Sequence, residues 1–192
     1  MPVSAEPDRR EKRLLMRYAR SMNRLFALAL LLAAWPALAG VIVGRVIEIP
    51  DGGTVTVLAK EGASIHRVRL AGIRAPGRER AYGANSRESL RRLTLGKTVR
   101  VETSAIDGKG LLIGVVSIVR GAQDCATKPC APLLDPGLSQ LSSGWAALDN
   151  ASLARHPESA QAQYGVAQAQ AKAARTGLWR DPHFRARAVM PR

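Results

Sequence analysis

Residues 66–83 read HRVRLAGIRAPGRERAYG, and the change of character within this stretch decides how the chain is read. Its first half alternates. Ile65, Arg67 and Arg69 fall on one side and His66, Val68 and Leu70 on the other, which is the period of a half-buried strand. The apolar side continues to Ile73, so the stretch predicts a strand over Ile65–Ile73 that ends at the Pro76 turn, because proline donates no ladder hydrogen bond and Pro-Gly favours a turn. Around that turn stand Arg67, Arg69, Arg74, Arg78 and Arg80, with Glu79 the single acid among them.

Working outward, Val41–Ile49 is mostly β-branched, Pro50-Asp51-Gly52-Gly53 punctuates it, and Thr54–Leu58 resumes the extended pattern, together a hairpin. On the other side the period changes after Gly83. Asn85 or Ser86 can cap a helix whose Leu90, Leu93 and Leu95 fall near helical spacing, and Gly96 stops it. Two more strands follow, Thr98–Thr103 and Leu112–Val119, joined by Asp107-Gly108-Lys109-Gly110. Residues 121–137 shift to Cys, Pro and small residues and read as a loop. A helix over Leu138–Leu148 carries Leu138, Leu141, Trp145 and Leu148 on one stripe, and a second over Pro157–Ala174 stops before Gly177. Leu178 and Trp179 read as apolar residues that fasten this last helix to the barrel, and residues 180–192 as a short, mobile basic tail. Five strands, one helix after the third and two trailing helices describe an α+β, mainly β, fold: a five-stranded Greek-key barrel of the OB type. A five-stranded sheet of another topology is the alternative.

A chain of 192 residues suits one ordinary domain. Its formal charge is +14, and residues 1–39 hold seven basic residues against three acids, so most of the excess belongs to the remainder. Ten basic residues fall within 67–100 (those five arginines with Arg87, Arg91, Arg92, Lys97 and Arg100) against only Glu79 and Glu88. That local +8 suits a polyanion, whether nucleic acid, anionic lipid or acidic polysaccharide, better than a neutral small molecule. The bland alternative is a solvated basic helix face. Tyr82 is the one aromatic in the stretch placed to stack on a base; Trp145 and Trp179 read as core residues. Arg67, Arg69, Arg74, Arg78 and Arg80 are the candidate phosphate-binding residues, because guanidinium forks match phosphate oxygens and stay charged.

The N-terminus reads as an address. Arg24, an apolar run over Leu25–Leu38 and Ala37-Leu38-Ala39 before Gly40 fit the three parts of a secretory signal, with cleavage after Ala39. An uncleaved anchor is the alternative, and Met16 or Met22 gives a tidier start than Met1. The expected location is the periplasm or outside the cell. In that setting Cys125 and Cys130, inside Cys-Ala-Thr-Lys-Pro-Cys, are most simply a disulfide closing a short loop. His66, His156 and His183 lie in no catalytic pattern, and no Ser, His and Asp trio has a motif behind it.

Taken in order, Asp51-Gly52-Gly53-Thr54, Val68-Arg69-Leu70-Ala71-Gly72-Ile73, Ala75-Pro76, Tyr82-Gly83, Leu95-Gly96-Lys97, Asp107, Ser143-Gly144-Trp145-Ala146 and Gly177-Leu178-Trp179 resemble the thermonuclease family, founded on staphylococcal nuclease. The resemblance runs from about Val41 to Trp179, which sets residues 40–179 as the thermonuclease-like domain. It implies an OB-type barrel with trailing helices and calcium-dependent hydrolysis of phosphodiesters. It also shows departures. The family has a calcium carboxylate where this chain has Gly53, another where it has Arg74, and its water-activating glutamate where it has Gly77. A second arginine is expected where Leu111 stands; the strand arginine remains as Arg69. Asp51 and Asp107 keep acidic positions that read as turn-forming. The resulting expectation is a domain that binds nucleic acid or another polyanion, holds no metal and no cofactor, and does not cut. Two alternatives stay open: a hydrolase with a rearranged site built on Arg69, Glu79 and Asp107, and a structural or assembly protein with an envelope partner.

Overall fold

The computed structural model of the chain describes residues 40–61, 64–108, 110–119 and 134–184. The expected signal segment, the Cys125 and Cys130 pair and the end of the basic tail lie outside the described residues.

β1 (Val41–Asp51), β2 (Thr54–Ala59), β3 (Ile65–Leu70), β5 (Thr98–Ile106) and β6 (Leu112–Ile118) close into a barrel in the order β1-β2-β3-β6-β5. Only the β3–β6 pairing is parallel, with Val68 opposite Leu112 and Leu70 opposite Gly114. β1 is long enough to pair with β2 along one edge and β5 along the other. Its register shifts between Val46 and Glu48, and again between Glu48 and Asp51, and such bulges bend a strand so that a small barrel can close. Inside stand Val46, Ile49, Val55, Val57, Val68, Leu70, Val99, Val101, Val116 and Ile118, all buried. The alternation read in the sequence is this inside–outside alternation.

The predicted third strand is interrupted. Gly72 takes φ +77°, a left-handed conformation that favours glycine, and β4 (Ile73–Arg74) leaves the barrel to pair with β7 (Ala147–Leu148) in a separate two-stranded sheet. The helix after the turn, α1 (Gly83–Thr94), begins earlier than Asn85 or Ser86. Tyr82 at φ 65° precedes it without a side-chain cap, and Ser86, one of the expected caps, is buried inside the helix with its hydroxyl donating to Trp145 O at 2.7 Å.

The predicted helix over Leu138–Leu148 is a correction of a different kind. The helix is α2 (Pro136–Ser142), with Asp135 capping the amides of Gly137 and Leu138, and the preceding loop is correspondingly shorter than 121–137. Gly144 at φ +75° then turns the chain, and Leu148 is on β7. The helical-looking stripe of Leu138, Leu141, Trp145 and Leu148 therefore crosses a helix, a turn and a strand. A short α3 (Asn150–Leu153) follows, then α4 (Glu158–Ala173) and a 3-10 turn over Gly177–Arg180. α2 and α4 pack together, with Leu141 and Tyr164 buried, and Leu178 and Trp179 are buried as expected. Trp145 is only half-buried. The tail begins in order, since Phe184 meets Trp179 edge-on with ring centroids 5.6 Å apart.

Candidate functional site

One end of the barrel gathers the β1–β2 turn, the end of β3 and the segment leading into α1. Asp51 shapes the first of these: its Oδ1 accepts the Gly53 amide at 2.8 Å, the turn-forming role read from the sequence. Gly53 O in turn accepts the Leu70 amide at 2.9 Å. A Cβ built on Gly53 would lie 3.4 Å from Ala75 Cβ, so Gly53 faces the start of the 75–77 turn across a small gap.

Arg69 stands opposite Thr54 on β2 and Ile113 on β6. Its Nη2 lies 3.4 Å from Asp107 Oδ2, while Asp107 Oδ1 accepts the Leu111 amide at 2.9 Å and closes the β5–β6 turn. Asp107 thus forms its turn and holds Arg69 as well. Arg74 is held more closely, its Nη2 donating to Asp149 Oδ1 at 3.0 Å. Asp149 is itself fixed by two bonds, its Oδ2 accepting the Ser152 hydroxyl at 2.7 Å and its amide donating to Gly72 O at 3.0 Å, while Ser152 Oγ accepts the Gly72 amide at 2.9 Å. The Arg74 pair is therefore built into the β4–β7 corner. The Arg69 and Arg74 side chains remain 47% and 65% exposed, so each pair contributes little stability.

The other predicted basic residues divide. Arg78 and Arg80 are exposed on the turn and Arg67 is exposed on β3, and among the described residues none of the three makes a side-chain hydrogen bond or ion pair. Arg87 instead donates to Ile49 O at 2.6 Å. Arg91 and Arg92 both close on Glu88 at 2.7 and 3.0 Å. Hydrogen bonds from the Arg91 guanidinium, then from that of Arg92, hold the Glu88 carboxyl down at about 2. Tyr82 is half-buried and its hydroxyl reaches Asp181 Oδ2 at 3.4 Å, which ties it to the start of the tail. Glu79 is exposed on the same turn as Arg78 and Arg80. The structure thus pairs Arg69 with Asp107 and Arg74 with Asp149 at this end of the barrel, while Glu79 makes no side-chain hydrogen bond or ion pair among the described residues.

Asp149 and Ser152 were not visible as site residues, because they meet Arg74 and Gly72 only through a fold contact across 75 and 80 positions. His156, in no catalytic pattern in the sequence, has a packing role. It is buried against Tyr164, ring centroids 4.7 Å apart.

Residues 67–181 match the family model described as staphylococcal nuclease homologue. Over 158 residues, 82% of either chain, the protein is 30% identical to Protein ParB of Escherichia coli. It is 32% identical over 143 residues to a micrococcal nuclease of Shigella flexneri, covering 73% of this chain and 75% of that one. An uncharacterized endonuclease of Escherichia coli O157:H7 is 36% identical over 95 residues, half of this chain and 61% of the relative, so the match spans about three fifths of that relative's length. The five-stranded barrel, its trailing helices and these matches place the chain in the staphylococcal nuclease family. Among the described residues, no helix is long and apolar enough to cross a membrane.

Proposed function

We propose that this chain is an exported staphylococcal nuclease-like barrel that binds nucleic acid or another polyanion by charge and does not cleave it. The observation carrying this reading is the Arg74–Asp149 pair at 3.0 Å, standing where the resemblance puts a calcium carboxylate. A hard divalent cation needs several oxygen ligands, usually including carboxylates. Here the other ligand place is Gly53, Asp51 is engaged with the Gly53 amide, and no cluster of three His, Cys, Asp or Glu side chains able to hold a metal occurs among the described residues. The donor set therefore does not fit the family's calcium, and a guanidinium at the site opposes a cation electrostatically. Phosphates are then to be held by Arg67, Arg69, Arg74, Arg78 and Arg80 with Tyr82 alongside. The signal-like segment ending at Ala39 and the Cys125 and Cys130 pair support export to the periplasm or beyond, with a disulfide in the loop.

Calcium titration of the purified chain, following cleavage and binding of labelled DNA together, tests this. Binding that falls steeply with salt and no cleavage is the expected result; calcium-stimulated cleavage overturns it. A second reading, a hydrolase built on Arg69, Glu79 and Asp107, draws on the names of the relatives and on Glu79 being exposed next to the arginines of the turn. It requires cleavage that disappears in Glu79→Ala.

A further inference from the structure

The outer wall of the barrel carries a second basic site, away from the corner just described. In a paired ladder, residues opposite one another share a face, and the registers lay out rows across β3, β2 and β1. Arg69 stands opposite Thr54 and Arg67 opposite Thr56; in the next row Ile65 stands opposite Leu58, and Leu58 opposite Arg45. Thr98 continues that row on β5. One step further, the Lys60 amide donates to Val43 O at 3.0 Å. Rows on one face of a sheet recur about every 7 Å. Arg69 and Arg67 on β3, Arg45 on β1 and Lys60 just past β2 therefore fall on four successive rows; Asp51 and Glu48 on β1 share the first two, and Arg100 on β5, paired with Glu102 at 3.2 Å, shares the last.

Two of these cations meet in a recess. Arg45, Leu58, Ala59, Lys60, Gly96 and Thr98 line a cleft of about 510 Å³. Arg45 is aimed by its Nε, which donates to Gly96 O at 3.0 Å, and among the described residues neither Nη group has a partner, so both can face a ligand. Among the described residues the Lys60 ammonium makes no ion pair. Among the described residues no acid lines the cleft; Glu48, the acid on the neighbouring row, accepts the Thr56 hydroxyl at 3.2 Å. A fixed guanidinium, a mobile ammonium and a hydroxyl around a recess without a carboxylate suit a phosphate oxyanion.

We propose that this cleft is a second phosphate site, and that it takes a phosphodiester of a single nucleic-acid strand crossing the wall from Arg69 and Arg67. The inference rests on the polyanion-binding reading above and extends it to a path. Successive cations one row apart give a repeat that the phosphates of an extended strand can follow, and the exposed Leu58 and Ile65 beside it offer apolar contact to sugars and bases. A bilayer presents a plane, whereas Arg45 and Lys60 line a recess.

The test uses the full chain and fluorescence anisotropy with labelled oligothymidylates of about four and about twelve nucleotides, within the span one such barrel covers. Arg45→Ala combined with Lys60→Ala is expected to leave the short oligomer's affinity unchanged. The same change weakens the long one about tenfold at low salt and lowers its salt slope by about 1.4, the share of two single-strand phosphates. Lys60→Glu alone, an exposed change without a packing cost, is expected to act in the same direction and serves if the double variant does not fold. Equal losses for both oligomers, or no loss, overturn the inference. So does a wall that binds anionic phospholipid vesicles through Arg45 and Lys60 while oligomer affinity stays put. If the unaltered chain binds neither oligomer, the polyanion reading itself falls; if it binds both and the variants change nothing, only the second site falls.

Discussion

The barrel end and the barrel wall both present arginine, but in different chemical situations. At the end, Arg69 faces Asp107 and Arg74 faces Asp149, and a little further along α1 a single glutamate engages both Arg91 and Arg92. On the wall, Arg45 donates to a backbone carbonyl and pairs with no acid among the described residues. The contrast shows that a run of basic residues does not measure the charge available to a ligand. Of the +8 counted over residues 67–100, three charges are matched by acids from outside the run, Asp107, Asp149 and Glu102, while two cations outside that run, Arg45 and Lys60, line a cleft that no acid shares among the described residues.

The sharpest way to break this contrast is to turn the barrel end into its opposite. Gly53 and Gly77 both have room for a side chain, with nearest Cβ contacts of 3.4 and 3.7 Å and neither among the positive-φ glycines. Gly53→Asp, Arg74→Asp and Gly77→Glu together are expected to create calcium binding with a Kd of about 10⁻⁴–10⁻³ M, on the order of 4–5 kcal/mol, read by calorimetry against an unaltered chain that gives no heat.

Next in size is the corner that holds Arg74 in place. A Cβ on Gly72 would approach Tyr164 Cε1 at 2.8 Å and His156 Nε2 at 3.1 Å, at φ +77°. Gly72→Ala is expected to cost about 3 kcal/mol in urea denaturation, from backbone strain and overpacking together. Removing Asp149 acts on the pair more directly. Asp149→Ala takes away the acceptor of both Arg74 and the Ser152 hydroxyl, with an expected loss of about 2 kcal/mol. The freed guanidinium is expected to raise DNA affinity several-fold in the same protein, where a purely structural pair would leave affinity unchanged.

The smallest effect concerns Glu88. Its pKa is depressed, so the stabilisation from its pairs is present above the unfolded value of about 4.3 and is lost only as pH falls through about 2. Glu88 accordingly stays ionised and paired with Arg91 and Arg92 between pH 4 and 3, where an ordinary glutamate protonates. Carbon-detected titration of the Glu88 carboxyl with a midpoint near 4 would contradict this.

The barrel was legible because alternation is local: Val55, Val57, Val68, Leu70, Val99 and Val101 each show their side within a few residues. Helical spacing after residue 134 was a poorer guide. Leu138, Leu141, Trp145 and Leu148 fit a stripe, but glycine at 144 allows the left-handed turn that ends it, and only tertiary pairing with β4 makes Ala147–Leu148 a strand. Arg69 and Arg74 were identifiable from motif order. Asp107 was named alongside Arg69, 38 positions away, but Asp149, 75 positions from Arg74, was not. Arg45 lies outside the conspicuous basic run and gains significance only when β1, β2 and β5 lie side by side.

One buried side chain settles what the frame depends on. Gln140, 0% exposed, donates from Nε2 to Gly52 O and Ser86 O at 2.9 Å each and accepts the Ser89 hydroxyl on Oε1 at 2.6 Å. The β1–β2 corner is thereby riveted to α1 by an uncharged carboxamide, whose bonds respond neither to acidity nor to ionic strength. Grip and frame are accordingly governed by separate variables: brine that strips away a bound polyanion leaves the corner presenting Gly53 in its original shape.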